Sequence, residues 1–134
     1  MGLNLASIDT NILLRIMLED DAVLYERAME LVTRPRTYLY VPNQVITESV
    51  YVMENDPYNY PRANIVDLIR KTMLAPRLDY DEELFEKVFA LYEKHPKLSF
   101  NDCYLACKME RKDRLPFYTM DEKLAKQCKI ATLV

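Results

Sequence analysis

The sequence predicts an α/β fold in which helices cover both faces of a mainly parallel sheet. Two observations carry that prediction. Short apolar or β-branched runs alternate with longer stretches of helical spacing along the whole chain. Strands separated in this way by helices pair in parallel and are covered on both faces. A length of 134 residues, half of them apolar, suits one domain with one core.

Taken in order, Leu3–Ile8 is an apolar run fit for a buried strand, stopped by Asp9, Thr10 and Asn11. A helix is expected from Asn11 to Leu18, with Ile12, Leu13, Ile16 and Met17 on its inner side. Asp20 and Asp21 are capping residues for a second helix over Ala22–Thr33, which Pro35 closes. Thr37–Val41, β-branched and aromatic, is the second strand. Pro42 then opens a helix to Met53, at the position where its missing N–H costs nothing. Asn55–Pro61 is a loop by composition, and residues 62–74 form another helix.

Leu78–Tyr80 is a short strand, followed by a helix with Asp81, Glu82 and Glu83 at its start and Lys94, His95 and Lys97 at its end. Those charges match the helix macrodipole. Ser99 caps a helix over Phe100–Lys112. Pro116–Thr119 is a strand, Asp121–Cys128 a helix and Ile130–Leu133 the last strand.

Composition removes several classes of chemistry. One glycine, Gly2, leaves no Walker or dinucleotide-binding loop. One histidine, His95, leaves little material for histidine-centred catalysis. Cys103, Cys107 and Cys128 form no CxxC and read as buried thiols of a reducing cytosol. No apolar stretch reaches the ~18 residues of a membrane span, and a cytoplasmic protein is expected.

The net charge of −3 argues against a nucleic-acid partner, but its distribution softens the argument. Residues 1–85 hold 8 Lys/Arg against 14 Asp/Glu, and residues 86–134 hold 10 against 7. Setting aside Asp9, Glu48, Asp102 and Asp121 leaves 18 basic residues against 17 acidic. A phosphate-bearing substrate is permitted, not demanded.

Those four acids are the candidate site. Asp9 and Asp121 follow strands, where ligands of open α/β sheets bind. Glu48 shares a polar stripe with Gln44, Tyr51 and Asn55 on an otherwise apolar helix, and Asp102 sits in a first helical turn. Oxygen-only ligands suit Mg²⁺ or Mn²⁺ and phosphodiester chemistry. The competing structural reading makes Asp9 and Asp121 helix caps, Asp102 half of a capping box with Ser99, and Glu48 a solvated residue.

Four segments resemble PIN-domain nucleases, in the family's order. They are Ile8–Arg15, Val41–Val52, Phe100–Ala106 and Tyr118–Ala125. Size and opening resemble VapC-type toxins of toxin–antitoxin pairs. The resemblance implies one PIN-like domain over residues 1–134: a three-layer α/β/α sandwich with a mainly parallel sheet of four to five strands. It implies a Mg²⁺- or Mn²⁺-dependent endoribonuclease, with Asp9, Glu48, Asp102 and Asp121 as catalytic and metal-binding residues. Asn11 and Thr119 would support them. Arg15, Lys108, Arg111 and Lys112 are candidates for substrate phosphates.

Implied partners are RNA, a small antitoxin whose basic side chain reaches the acidic cleft, and a second copy docking through the Tyr51–Tyr60 region. The chain departs from the family's commoner pattern in two ways: Cys103 follows Asp102 where alanine is common, and a glycine is missing within Lys112–Leu115, before the last catalytic strand. A phosphatase attacking through Asp9 is a weaker reading, because Asn11 stands where a second aspartate is required. Two readings stand beside the toxin. A PIN-family RNA-processing nuclease outside a toxin system would use the same site residues. A non-catalytic PIN-like interaction module would not use them for cleavage, and the presence of all four acids weighs against it.

Overall fold

The computed structural model describes residues 2–134 and divides them into two compact units, one ending at Tyr80 and one comprising Asp81–Val134. The α/β/α class with mainly parallel strands is the one expected. Every strand pair is parallel, in a three-stranded sheet of order β1-β2-β3 and a two-stranded sheet β4-β5.

In the first unit the order is β1 (Asn4–Ser7), α1 (Thr10–Leu18), α2 (Ala22–Val32), β2 (Thr37–Tyr40), α3 (Asn43–Glu54), α4 (Arg62–Thr72) and β3 (Leu78–Asp79). Register aligns Ser7 with Tyr40 and Tyr40 with Asp79, so the three strands end together. Leu13, Leu39, Ile46, Val50, Met53, Ile65 and Ile69 fill the core at 1% exposure or less. The α3 stripe is as its spacing predicts: Val45, Ile46, Val50 and Met53 are buried, while Gln44, Glu48, Tyr51 and Asn55 are exposed or half-buried.

Two expectations change. Pro42 is the N-cap of α3 and not its first helical residue, with φ −59° and ψ 150°. Strand β1 is not buried: Leu3 and Leu5 are 63% and 80% exposed, and burial begins at Ile8. Strand β1 lies at one edge of the sheet, beside β2.

The second unit runs α5 (Glu82–Lys94), α6 (Phe100–Arg111), β4 (Phe117–Thr119), α7 (Glu122–Gln127) and β5 (Ala131–Leu133). Helices α5 and α6 pack through aromatic rings. Phe85 stacks on Phe100 with centroids 6.3 Å apart, and Tyr92 meets Phe100 edge-on at 5.0 Å. The missing glycine before β4 is answered by Asp113, which takes φ 60°, the left-handed conformation that ends a helix. Aspartate tolerates this region better than most residues, and Arg114 N–H closes the turn onto Met109 C=O at 2.9 Å.

Candidate functional site

Asp9 directly precedes α1 and adopts the extended backbone of an N-cap, φ −95° and ψ 179°. Its Oδ1 accepts the Ile12 N–H at 3.1 Å, satisfying one of the amides a helix start leaves unpaired. Next to it, Thr10 Oγ1 donates to Glu48 Oε2 at 2.6 Å, tying the start of α1 to α3. Gln44, one turn before Glu48, donates Nε2–H to Oε1 at 3.0 Å. Both oxygens of Glu48 are therefore held by neutral donors. Thr10 and Gln44 are neighbours of the site that sequence alone did not assign to it. Gln44 carried a signal, its i, i+4 spacing to Glu48; Thr10 carried none. Asn11 is exposed on the same turn.

In the second unit, Asp121 is the N-cap of α7, and its Oδ1 accepts from Lys123 N–H at 2.8 Å and Leu124 N–H at 3.2 Å. Thr119 steadies it, since Thr119 Oγ1 accepts the Asp121 N–H at 3.0 Å. Asp102 stands in the first turn of α6, where its N–H donates to the N-cap Ser99 Oγ at 3.1 Å. Two of the four acids, Asp9 and Asp121, thus occupy the capping roles that competed with catalysis in the sequence, whereas Asp102 joins the cap of α6 through its backbone N–H.

The expected metal centre is corrected by this geometry. Among the described residues, no three His, Cys, Asp or Glu side chains form a group able to hold a metal ion. Mg²⁺ demands near-octahedral oxygen ligation at about 2.0–2.1 Å, with one or more carboxylates aimed at a common point. Here Asp9 and Asp121 are turned onto the amides of their own helices, and Glu48 onto Thr10 and Gln44. The residues do not fit Mg²⁺ or Mn²⁺. The reading of Asp9, Glu48, Asp102 and Asp121 as metal ligands of a Mg²⁺- or Mn²⁺-dependent endoribonuclease, and with it the toxin nuclease, does not stand.

The candidate phosphate-binding residues are engaged locally or grouped at a helix end. Arg15 Nη1 pairs with Asp20 Oδ1 at 2.8 Å, and Asp20 Oδ2 also accepts the Tyr58 hydroxyl at 2.6 Å. Arg111 grips Asp81 through both guanidinium branches, Nη1 to Oδ1 at 2.6 Å and Nη2 to Oδ2. The Arg111 hydrogen bond holds the Asp81 carboxyl below its ordinary range, against the opposing effect of burial. Lys108 and Arg111 lie in the last turn of α6 and Lys112 at its C-cap, where the helix dipole favours cations.

Between α1 and α2 lies a groove of about 660 Å³. Ile12, Leu24, Ala28 and Leu31 give it an apolar lining, and Arg15, Arg27 and Arg34 charge it, opposed by Glu30. The three cysteines are free and buried, and burial pushes the Cys107 thiol up to about 11, which leaves it protonated and unreactive at neutral pH. Among the described residues, no helix is long and apolar enough to cross a membrane.

Comparison with curated proteins and with solved structures found no match. The family model of the PIN domain matches residues 6–130. That match takes in both compact units and all four sequence segments that carried the resemblance, and the chain belongs to the PIN-domain family.

Proposed function

We propose that this chain is a PIN-like interaction module that acts by binding and not by metal-dependent cleavage. One observation carries the reading: among the described residues no acids are grouped for a metal, while Asp9 and Asp121 cap helices and Glu48 accepts neutral hydrogen bonds. The α1–α2 groove is a recessed surface suited to binding, with an apolar lining and with Arg27 and Arg34 against Glu30 beside an Arg15 already paired with Asp20. An amphipathic segment of a small partner protein, with acidic residues flanking its apolar side, suits such a surface. The opening segment's resemblance to VapC-type proteins supports a partner encoded beside this chain.

RNA belongs to the proposal as a ligand that is bound and released intact. Self-association through the Tyr51–Tyr60 region is a further part of it. Tyr51 is 69% exposed on α3, whereas Tyr58 and Tyr60 pack edge-to-face at 5.7 Å. A cytoplasmic location, which three free thiols suit, completes the reading. The experiment is incubation of the full chain with single-stranded and structured RNA, with Mg²⁺ or Mn²⁺ and with EDTA. The expected result is intact RNA in every lane. Cleavage that EDTA abolishes and Asp9→Asn removes overturns the proposal.

A further inference from the structure

The second unit contains a cavity of about 410 Å³ bounded by the end of α5, by α6, and by the turn from α7 into β5. Its size falls within the range of small-molecule sites. Its chemistry is divided. Lys87, Leu91 and Lys94 follow one another along a single face of α5, and Lys129 comes from the α7–β5 turn. Glu110 of α6 is the one acid in the lining, so the three lysines leave the mouth cationic.

The interior is apolar. Exposed Ala90 and half-buried Leu91 and Ile130 line its wall, and Cys107 and Cys128 are buried thiols at its base. Into this lining Gln127 brings an amide whose Oε1 is buried with no hydrogen-bond partner. A buried acceptor left unpaired carries a desolvation cost that a ligand donating an N–H recovers. Periodicity did not reveal the cavity, because its residues come from three elements that are unrelated in sequence.

We propose that this cavity binds a phosphorylated nucleoside. Lys87, Lys94 and Lys129 take the phosphate, the apolar lining takes the face of the base, and Gln127 Oε1 accepts an N–H from the base edge. Glu110, an acceptor only, is left to take a ribose hydroxyl. The site belongs to the second unit alone and does not depend on the groove between α1 and α2. The same chemistry is offered by a free mononucleotide and by the phosphorylated end of an RNA strand.

The test titrates the full chain by calorimetry with each of the four nucleoside 5′-monophosphates and with inorganic phosphate. At least one nucleotide is expected to bind about tenfold more tightly than phosphate alone. A Lys94→Ala/Lys129→Ala double variant should weaken it at least about tenfold, since charge-assisted hydrogen bonds are lost. Gln127→Met, nearly isosteric, should weaken it about fivefold while leaving the melting temperature equal or higher. A 5′-phosphorylated oligoribonucleotide that competes identifies the RNA end as the source, and failure to compete identifies the free nucleotide. No saturable binding of any of the four overturns the proposal. So do wild-type affinity in both variants and equal competition by a 5′-hydroxyl oligonucleotide.

Discussion

Replacing Asp121 separates the capping role from the metal role, because asparagine preserves the first and destroys the second. Asp121 Oδ1 accepts two amide protons, from Lys123 and Leu124, at the start of a six-residue helix whose Leu124 is 2% exposed. Alanine removes both bonds. N-cap loss costs about 0.5–2 kcal/mol, and two bonds to one acceptor place Asp121→Ala in the upper half, about 1–2 kcal/mol. For a chain of this size that lowers the melting temperature by roughly 3–8 °C. Asparagine keeps an oxygen acceptor and gives up only the charge–dipole part, about 0.3–1 kcal/mol. Asp9, with one bond to Ile12, should follow the same order at about 1 kcal/mol for alanine. The assay is thermal or urea denaturation followed by circular dichroism, with and without millimolar Mn²⁺. In the capping account the order is wild type, then Asn, then Ala, and metal leaves the order unchanged. Asn variants as unstable as Ala, or Ala variants more stable than wild type through relief of repulsion, refute it.

Three further outcomes are expected. Arg111→Met removes the partly exposed pair with Asp81 and should cost about 0.5–1 kcal/mol by urea denaturation. Because the folded-state Asp81 carboxyl lies below its ordinary range, that loss is constant above about pH 5 and fades as pH falls below about 4, through its folded value. Asp113→Gly relieves the side-chain cost of φ 60° and should leave stability unchanged or raise it by up to about 1 kcal/mol. Tyr51→Ala, at an exposed position, should leave the melting temperature of the monomer within roughly 2 °C and shift the chain from dimer to monomer in light scattering.

Much of the architecture was legible because the signals were strong and redundant. Helix α3 carries its buried face in Val45, Ile46, Val50 and Met53, and the caps Asp21 and Ser99 stand where their helices start, while Asp81, expected in a first turn, is the N-cap of α5. Missed boundaries are of one or two residues, as at Pro42, where a proline suits both the N-cap and the first turn. Burial of β1 was misread because an apolar run records a preference and not which faces of a strand the fold covers. The site was harder. An aspartate between a strand and a helix has the same sequence signature whether it points at a metal or at the amides of its own helix. Spacing cannot distinguish them; the folded arrangement does, since among the described residues these carboxylates are not grouped for a metal while Oδ1 of Asp9 and of Asp121 takes helix amides. Glu48 was correctly placed on a polar stripe, but its engagement by Thr10 joins residues 38 apart and leaves no local pattern.

Direct titration of Mn²⁺ into the full chain, followed by electron paramagnetic resonance of the free ion, tests the central claim. Carboxylates that are not grouped for a metal predict no saturable site: the free-ion signal rises in proportion to added Mn²⁺, and Asp9→Asn and Asp121→Asn titrate like wild type. A stoichiometric micromolar site in the wild type, lost in either asparagine variant, contradicts the account and restores those carboxylates as metal ligands.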